Sequence, residues 1–291
     1  MHWLNRKPLR IQARTLDKLN QRRSQFGTGT QLVQIIGPSR PTAEQMGAIG
    51  DLGAAGDIAT ILKKLTTASD AREQAGLRSA SISAIRRTGA GAKPVIKAMS
   101  GATGAPRAAL LGVLSGIGGE DALALVVKDT ASSDKDTQEA AVRALANWPE
   151  MSAAAPLLAM AGKSDNKTHR TLAIRGYIRL ISLPSNRTAG ETVKLFAKAM
   201  EAAPGPVEKK TILGALAGVR TVEAMGLAMK YVDDSVLREE ASMAAVKIAC
   251  PTARRQKLLK GPNVRKNLEK IIAVAKNKWT RDTAKKYAGK K

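Results

Sequence analysis

The stretch Val142–Met160, VRALANWPEMSAAAPLLAM, joins a helical segment that ends at Trp148 and Pro149 to a second segment of Ala, Leu and Met. Proline stops the first segment because it lacks a backbone N–H and its ring clashes with the preceding helical turn. An isolated helical hairpin leaves the apolar surface of the second segment in water. The stretch therefore predicts two helices per unit, with further units packed on both sides.

Trp148 is preceded by two apolar residues, Leu145 three positions earlier and Val142 six positions earlier, and this pattern recurs along the chain. The residues equivalent to Leu145 form a first apolar column, Ile49, Ile85, Leu114, Leu145, Leu180, Leu216 and Val246. The residues equivalent to Val142 form a second apolar column, Met46, Ile82, Leu111, Val142, Tyr177, Leu213 and Met243. The predicted helix ends are Gly53, Gly89, Gly118, Pro149, Pro184, Arg220 and Cys250, at intervals of 36, 29, 31, 35, 36 and 30 residues. This period predicts an all-α fold, an α-solenoid (armadillo/HEAT-like superhelix) of about seven short two-helix repeats.

The repeats also resemble a known family. The segments RAALLGVLSGIGGEDAL, AAVRALANWPE and THRTLAIRGYIRLISLP are similar to short HEAT repeats of the phycobilisome-lyase HEAT-like type. They look like the HEAT-repeat regions of planctomycete and verrucomicrobial multidomain proteins, over about residues 43–288. The resemblance implies that second helices line a concave surface. It also implies one function, that of an accessory repeat region in an exported carbohydrate-active protein.

Charge divides the chain into three regions. The net charge is +24. Residues 1–42 carry 8 Lys and Arg against 1 acid, and residues 250–291 carry 14 against 2, whereas the stretch between holds 26 against 21. We therefore predict a basic N-terminal arm and linker over residues 1–42 and a HEAT-like solenoid over residues 43–250. Basic capping helices are predicted over residues 251–291, where a polar outer face protects the end of the array.

Localisation is predicted from two features. No run of 18 apolar residues occurs, so no transmembrane segment is predicted. The first residues lack the apolar core of a secretory signal. The sequence thus favours the cytoplasm, with export open if the N-terminus is incomplete.

The sequence contains no catalytic or cofactor-binding pattern. Cys250 is the single cysteine, and the two histidines, His2 and His169, do not complete a zinc site. His169 is expected to be a solvated histidine in the first turn of a helix, and Cys250 is expected to be a buried thiol. We predict a protein that is not an enzyme and that needs no cofactor or metal.

Four predicted second helices share an acid followed seven residues later by lysine. Residues seven positions apart lie on nearly the same side of an α-helix, so the acid and the lysine of each pair share one side of their helix. The pairs are Asp57–Lys64, Asp121–Lys128, Glu191–Lys198 and Glu223–Lys230, and Met160 occupies the matching position in AAAPLLAM. Lys64, Lys128, Met160, Lys198 and Lys230 are therefore candidates for contact with a protein or peptide partner, and their charge favours an acidic one. The alternative is that acid and lysine stabilise the two ends of the helix macrodipole.

The N-terminal arm has its own pattern of basic residues. Arg6, Arg10, Arg14, Lys18 and Arg22 recur every four residues, and leucines occupy another face. This spacing is typical of a short basic amphipathic helix. Its leucines can dock on the first repeat as a cap, its basic face can bind a polyanion such as nucleic acid, or the segment is an alternative start upstream of the repeats.

These observations predict a non-enzymatic HEAT-repeat scaffold that binds a protein or peptide along its concave surface. The alternative is binding of nucleic acid or another polyanion through the basic termini. The sequence leaves the oligomeric state open.

Overall fold

The computed structural model describes Gln21, Ser24, Gln25, residues 42–251, Ala253 and residues 256–289. Between residues 42 and 289 it contains fifteen α-helices and two short 3-10 helices, and the described residues include no strand. This confirms the predicted all-α class. The helices divide between two compact units that meet at Glu150 and Met151 in the chain. In the part of the chain described, no helix has the length and apolar character needed to cross a bilayer.

The first unit consists of alternating first and second helices. Its first helices are α1 (Ala43–Leu52), α3 (Ala71–Thr88), α5 (Gly104–Ile117) and α7 (Lys135–Ala146). Its second helices are α2 (Ile58–Thr67), α4 (Lys93–Met99) and α6 (Glu120–Asp129). Each first helix packs on the next first helix, and each second helix packs on the first helix that follows it. Packing between neighbouring repeats is the defining feature of an α-solenoid.

The second unit has the same arrangement. Its second helices are α8 (Ala154–Lys163), α10 (Ala189–Ala202), α12 (Val222–Met229) and α14 (Val264–Val274). Its first helices are α9 (Lys167–Ser182), α11 (Pro206–Leu216), α13 (Arg238–Ala249) and α15 (Lys278–Ala288). Helices α14 and α15 pack on each other. In addition, α14 packs on α12 and α15 packs on α13, so the last two helices continue both layers of the repeat array.

Burial confirms the repeat frame. All seven residues of the first apolar column are at most 1% exposed, namely Ile49, Ile85, Leu114, Leu145, Leu180, Leu216 and Val246. In the second column, five residues are buried, namely Met46, Leu111, Val142, Tyr177 and Leu213. Ile82 and Met243 are half-buried. The two columns therefore supply the core side of the first helices in both units.

Four of the seven predicted helix ends agree with the structure, and a fifth, Pro184, comes one residue after Leu183, the C-cap of α9. Gly53, Gly89, Gly118 and Cys250 each follow the last helical residue directly as the C-cap. Gly89 has the left-handed conformation, φ 69°, that glycine adopts without steric cost.

Two predicted helix ends are wrong. Helix α7 ends at Ala146, because the side chain of Asn147 donates to the Arg143 carbonyl at 2.9 Å and caps the helix early. Trp148 therefore lies outside the helix, although its side chain is fully buried. Helix α11 ends at Leu216, four residues before Arg220, because the N–H groups of Gly218 and Val219 donate to carbonyls three residues back, in tighter turns.

A glycine lets α3 and α5 approach each other closely. A Cβ on Gly116 of α5 would collide with the side chain of Ile82 on α3. The backbone carbonyl of Gly116 also accepts a hydrogen bond from the guanidinium of Arg86 at the end of α3. The absent side chain thus leaves room for both contacts.

Candidate functional site

Charged residues on the first helices of the second unit pair with one another. Each of two neighbouring pairs of first helices is linked by an ion pair, Arg175–Glu208 at 3.9 Å between α9 and α11, and Lys210–Glu240 at 3.4 Å between α11 and α13. The Lys210–Glu240 pair, whose side chains are 38% and 37% exposed, stabilises the fold by at most about 1 kcal/mol. These two pairs match charges between neighbouring first helices, whereas exposed Lys167 and Lys247 on the same layer form no ion pair with a described residue.

Three of the four predicted lysines of the second helices form no ion pair with a described residue. Lys198 on α10 and Lys230 directly after α12 are exposed, and neither forms an ion pair with a described residue. Lys128 at the end of α6 in the first unit is also exposed and has no ion pair among the residues described. Lys64 on α2 is half-buried, and its Nζ lies 4.0 Å from the Glu73 carboxylate on α3. Lys64 is therefore partly neutralised.

Two of the acids in the predicted acid–lysine pairs accept backbone N–H groups at the start of their helices. Asp57 is buried and accepts the Ala54 N–H at 2.7 Å. Glu191 accepts the Thr188 N–H at 2.7 Å in a capping box. Hydrogen bonds from Thr188 lower the pKa of Glu191, so the carboxylate stays charged at neutral pH. Capping thus explains these acids, and the lysines remain the candidates for binding.

We define the second-helix face of the second unit by solvent-exposed residues spaced three or four apart on α8, α10 and α12. These residues are Ala155, Ala159 and Lys163 on α8, Glu191, Lys194, Lys198 and Glu201 on α10, and Glu223, Gly226 and Lys230 on or directly after α12. Spacing of this kind places them on one side of each helix. Met160 is half-buried beside Ala159. The face has small apolar residues and one lysine on α8, and it carries both lysines and glutamates on α10 and α12. That the lysines of both units form one column stays a prediction.

A set of side chains that the sequence argument missed joins successive repeats. Long polar side chains near the start of a first helix donate to carbonyls at the end of the preceding second helix. They are Gln74 to Ala68 at 2.6 Å, Arg107 to Met99 at 3.1 Å, Arg170 to Ala161 at 2.9 Å and Arg238 to Val232 at 3.2 Å. They satisfy carbonyls that a helix leaves without an intrahelical partner. Gln74, Arg107 and Arg170 are each the fourth residue of their helix, a spacing visible in the sequence.

Arg107 makes a further contact. Its Nε donates to Asp129 Oδ2 at 2.7 Å and its Nη2 to Asp129 Oδ1 at 3.0 Å. The Asp129 side chain is 8% exposed. This bidentate pair connects α5 with the end of α6 and is largely shielded from water.

Cys250 and His169, the two residues considered for chemical reactivity, are both buried in the fold. Cys250 is buried and forms no disulfide, as predicted, and burial raises its pKa to about 11. His169 is only 5% exposed, so the prediction of a solvated histidine is wrong. The third residue is also buried in α7 and α11, at Thr137 and Glu208, so in these three helices this position faces the fold. Among the residues described, no group of His, Cys, Asp and Glu is arranged to hold a metal ion.

The basic residues of the N-terminal arm, Arg6, Arg10, Arg14, Lys18 and Arg22, lie outside the described residues. Their amphipathic pattern stays a prediction.

No protein-family model matches the chain, and the search of curated proteins also finds no match. The resemblance to HEAT repeats thus stays an expectation from the sequence motifs. The geometry of the described residues carries the functional argument.

One contact in the second unit predicts a pH effect. Glu239 on α13 accepts the N–H groups of Lys276 and Asn277 at 2.9 Å each, just before α15. Burial raises the pKa of Glu239, but these hydrogen bonds and the nearby charges of Lys276 and Arg238 outweigh it, so the pKa lies below its ordinary value. A carboxylate with a lowered folded pKa stabilises the fold above the unfolded pKa, and this contribution disappears as the pH falls through the folded pKa.

We expect Glu239→Gln to lower the free energy of unfolding at pH 7 by about 1 kcal/mol, a figure that allows for solvent screening of this half-exposed group. The difference from the wild type should shrink as the pH falls below the ordinary pKa of a glutamate, about 4.3, and through the lower pKa of folded Glu239. Urea denaturation at a series of pH values measures both effects. Glu201→Gln is the control, because exposed Glu201 makes no hydrogen bond to a described residue. A difference that stays constant from pH 7 to low pH would contradict the role of the charge.

Proposed function

We propose that the chain is a non-enzymatic scaffold whose second-helix face, in the second unit, binds an acidic segment of a partner protein. One observation supports this proposal. The ion pairs Arg175–Glu208 and Lys210–Glu240 match charges between first helices. Lys198 and Lys230 on the second-helix face are exposed and have no ion partner among the described residues.

The two parts of this face contribute in different ways. Exposed lysines attract an acidic segment over several ångströms and raise its association rate, because the attraction acts before contact. The apolar surface at Ala155, Ala159 and Met160 is removed from water when a partner side chain covers it, and this burial slows dissociation. An acidic segment that carries one large apolar side chain uses both contributions.

Charge reversal tests the proposal. Peptides of Asp and Glu with a single Leu or Phe serve as probes, and their binding is followed by fluorescence anisotropy and stopped-flow mixing. We expect Lys198→Glu combined with Lys230→Glu to slow association by about tenfold or more at low salt, because attraction becomes repulsion. The melting temperature should stay nearly unchanged, because both side chains are exposed.

The matched control is Lys167→Glu combined with Lys247→Glu. These lysines are exposed on the first helices α9 and α13. The control changes the net charge by the same amount on the other layer of the unit, and it should affect association much less. Equal slowing by both double variants would attribute binding to overall charge and reject the face. Lower stability with retained binding would assign the lysines to helix stabilisation.

Polyanion binding is a second candidate, favoured by the surface of α15. Trp279 is 45% exposed, and Lys278 and Lys286 lie beside it. An exposed aromatic ring among lysines suits the stacking of a base in a single-stranded nucleic acid. Asp282 lies in the same cluster and opposes phosphate. A labelled oligonucleotide measured at several salt concentrations distinguishes this candidate, because its affinity then depends steeply on salt and falls on Trp279→Ala.

A further inference from the structure

We infer that a cavity at the C-terminal end of the second unit binds a small amphipathic anion, that is, a carboxylate or sulfonate attached to a hydrocarbon chain or aromatic ring. The cavity has a volume of about 530 Å³ and lies between residues 257–261, α14 and α15. It is separate from the residues that define the second-helix face. This inference goes beyond the proposed function and does not depend on it.

The floor of the cavity is apolar and fixed. Leu268 on α14 is 1% exposed and Val264 is 5% exposed, so both side chains are held by the core while one side of each lines the cavity. Leu258 and Leu259 form a second wall, and Tyr287 of α15 forms a third. The Lys286 Nζ lies 5.4 Å from the centroid of the Tyr287 ring. These surfaces favour a hydrocarbon chain or a ring as the ligand body.

The segment that carries the rim is anchored to the fold. The Leu259 N–H donates to the Ala249 carbonyl at 2.8 Å. Arg220 Nη2 donates to the Lys257 carbonyl at 2.8 Å, and its Nε donates to the Ile248 carbonyl at 3.0 Å. Residues 257–259 are thus tied to the end of α13 by one backbone hydrogen bond and by the side chain of Arg220, which hold this wall in place without a ligand.

Gly261 holds the next part of the wall close to α12. A Cβ at this position would lie 2.5 Å from Val222 Cγ2, closer than atoms of real side chains approach. The glycine therefore lets the segment pack directly on Val222.

The rim supplies the charge for an anionic head group. Lys257 and Lys260 are exposed, line the cavity and form no ion pair with any residue in the described part of the chain. Arg265 also lines the cavity, but its Nε already donates to Glu269 Oε1 at 3.0 Å. Two exposed lysines that form no ion pair with a described residue thus line a cavity with an apolar floor. A lysine ammonium binds a carboxylate or sulfonate by charge-assisted hydrogen bonds.

Size and shape restrict the ligand class. The volume lies within the range of about 300–1,000 Å³ that is typical of sites for small organic molecules. A polyanion gains little from an apolar floor, and a neutral hydrocarbon gains nothing from the lysines. A compact ligand with one anionic head and one apolar body uses both.

The test uses the full chain and the probe 8-anilinonaphthalene-1-sulfonate, whose fluorescence increases in apolar surroundings. We expect one saturable site from which decanoate displaces the probe and inorganic phosphate does not. Lys257→Glu combined with Lys260→Glu should weaken binding by about tenfold or more. Lys266→Glu combined with Lys285→Glu is the matched control on α14 and α15, since neither residue lines the cavity, and it should change binding by less than about twofold.

Three results would overturn the inference. These are undiminished probe binding in Lys257→Glu/Lys260→Glu, equal weakening in the control, and displacement by phosphate as effective as displacement by decanoate. The last result would assign the rim to a polyanion. Circular dichroism melting of each variant checks that the fold is retained, which is expected because all four lysines are exposed. Failure here leaves the proposed function standing, because Lys198 and Lys230 are not changed.

Discussion

Replacement of Arg107 by leucine is expected to lower the free energy of unfolding by about 3–5 kcal/mol, because Asp129 then stays buried without its partner. The wild-type pair has two hydrogen bonds of 2.7 and 3.0 Å. The carbonyl of Met99, which accepts from Arg107 Nη1 at 3.1 Å, loses this donor in the same variant. Chemical denaturation followed by circular dichroism measures the change.

Two further variants separate the buried charge from a general effect of losing an arginine. Arg143→Leu removes the partner of Glu139 at 3.8 Å, where the arginine side chain is 64% exposed, and it should cost at most about 1 kcal/mol. The double variant Arg107→Leu/Asp129→Leu should recover much of the lost stability, because no unpaired charge is left in the fold. A double variant as unstable as Arg107→Leu would show that packing and carbonyl capping, and not the buried carboxylate, cause the loss.

Leu145→Ala is expected to lower the free energy of unfolding by about 2–5 kcal/mol. Leu145 belongs to the first apolar column and is 1% exposed, so the truncation removes buried methyl groups and leaves a cavity. Leu183→Ala is the matched control, because Leu183 is 41% exposed, and it should change stability by no more than about 0.5 kcal/mol. Denaturation of both variants under the same conditions measures the difference.

Equal losses from Leu145→Ala and Leu183→Ala would mean that the repeat frame does not identify the core. The same comparison can be made with Leu216→Ala in the second unit, since Leu216 occupies the equivalent position and is fully buried. Similar losses at Leu145 and Leu216 would support equivalent packing of the column in both units.

The sequence predicted the helices and the core well, because helical burial appears directly in residue type at a spacing of three or four. Leu114 and Leu180, for example, were placed in the core by their distance from a helix end alone. The exact end of α7 was missed for a local reason. Pro149 indicates that a helix has stopped, but the stop comes from the Asn147 side chain, which binds the Arg143 carbonyl. A stop residue thus sets only a limit for the helix end.

The candidate site was predicted less completely, because its charges depend on contacts between residues far apart in the chain. The spacing of Asp57 and Lys64 is visible in the sequence. The contact between Lys64 and Glu73 depends on the packing of α2 on α3, which the sequence does not show. The burial of Asp57 depends on the turn before α2, where Asp57 accepts the Ala54 N–H. Arg107 and Asp129 are likewise 22 residues apart, so no local pattern joins them. The recurrence of a long polar residue at the fourth helical position was the available signal for the junctions.

Backbone carbonyls are the same in every protein, so a side chain that binds only them accepts any residue type at the helix end it meets. Gln74, Arg170 and Arg238 bind carbonyls in this way. We therefore expect that duplication or loss of a whole repeat would preserve these hydrogen bonds, so that the number of repeats could change one at a time. The junction at Arg107 is the exception, because its partner Asp129 is a side chain and must be inherited together with the arginine.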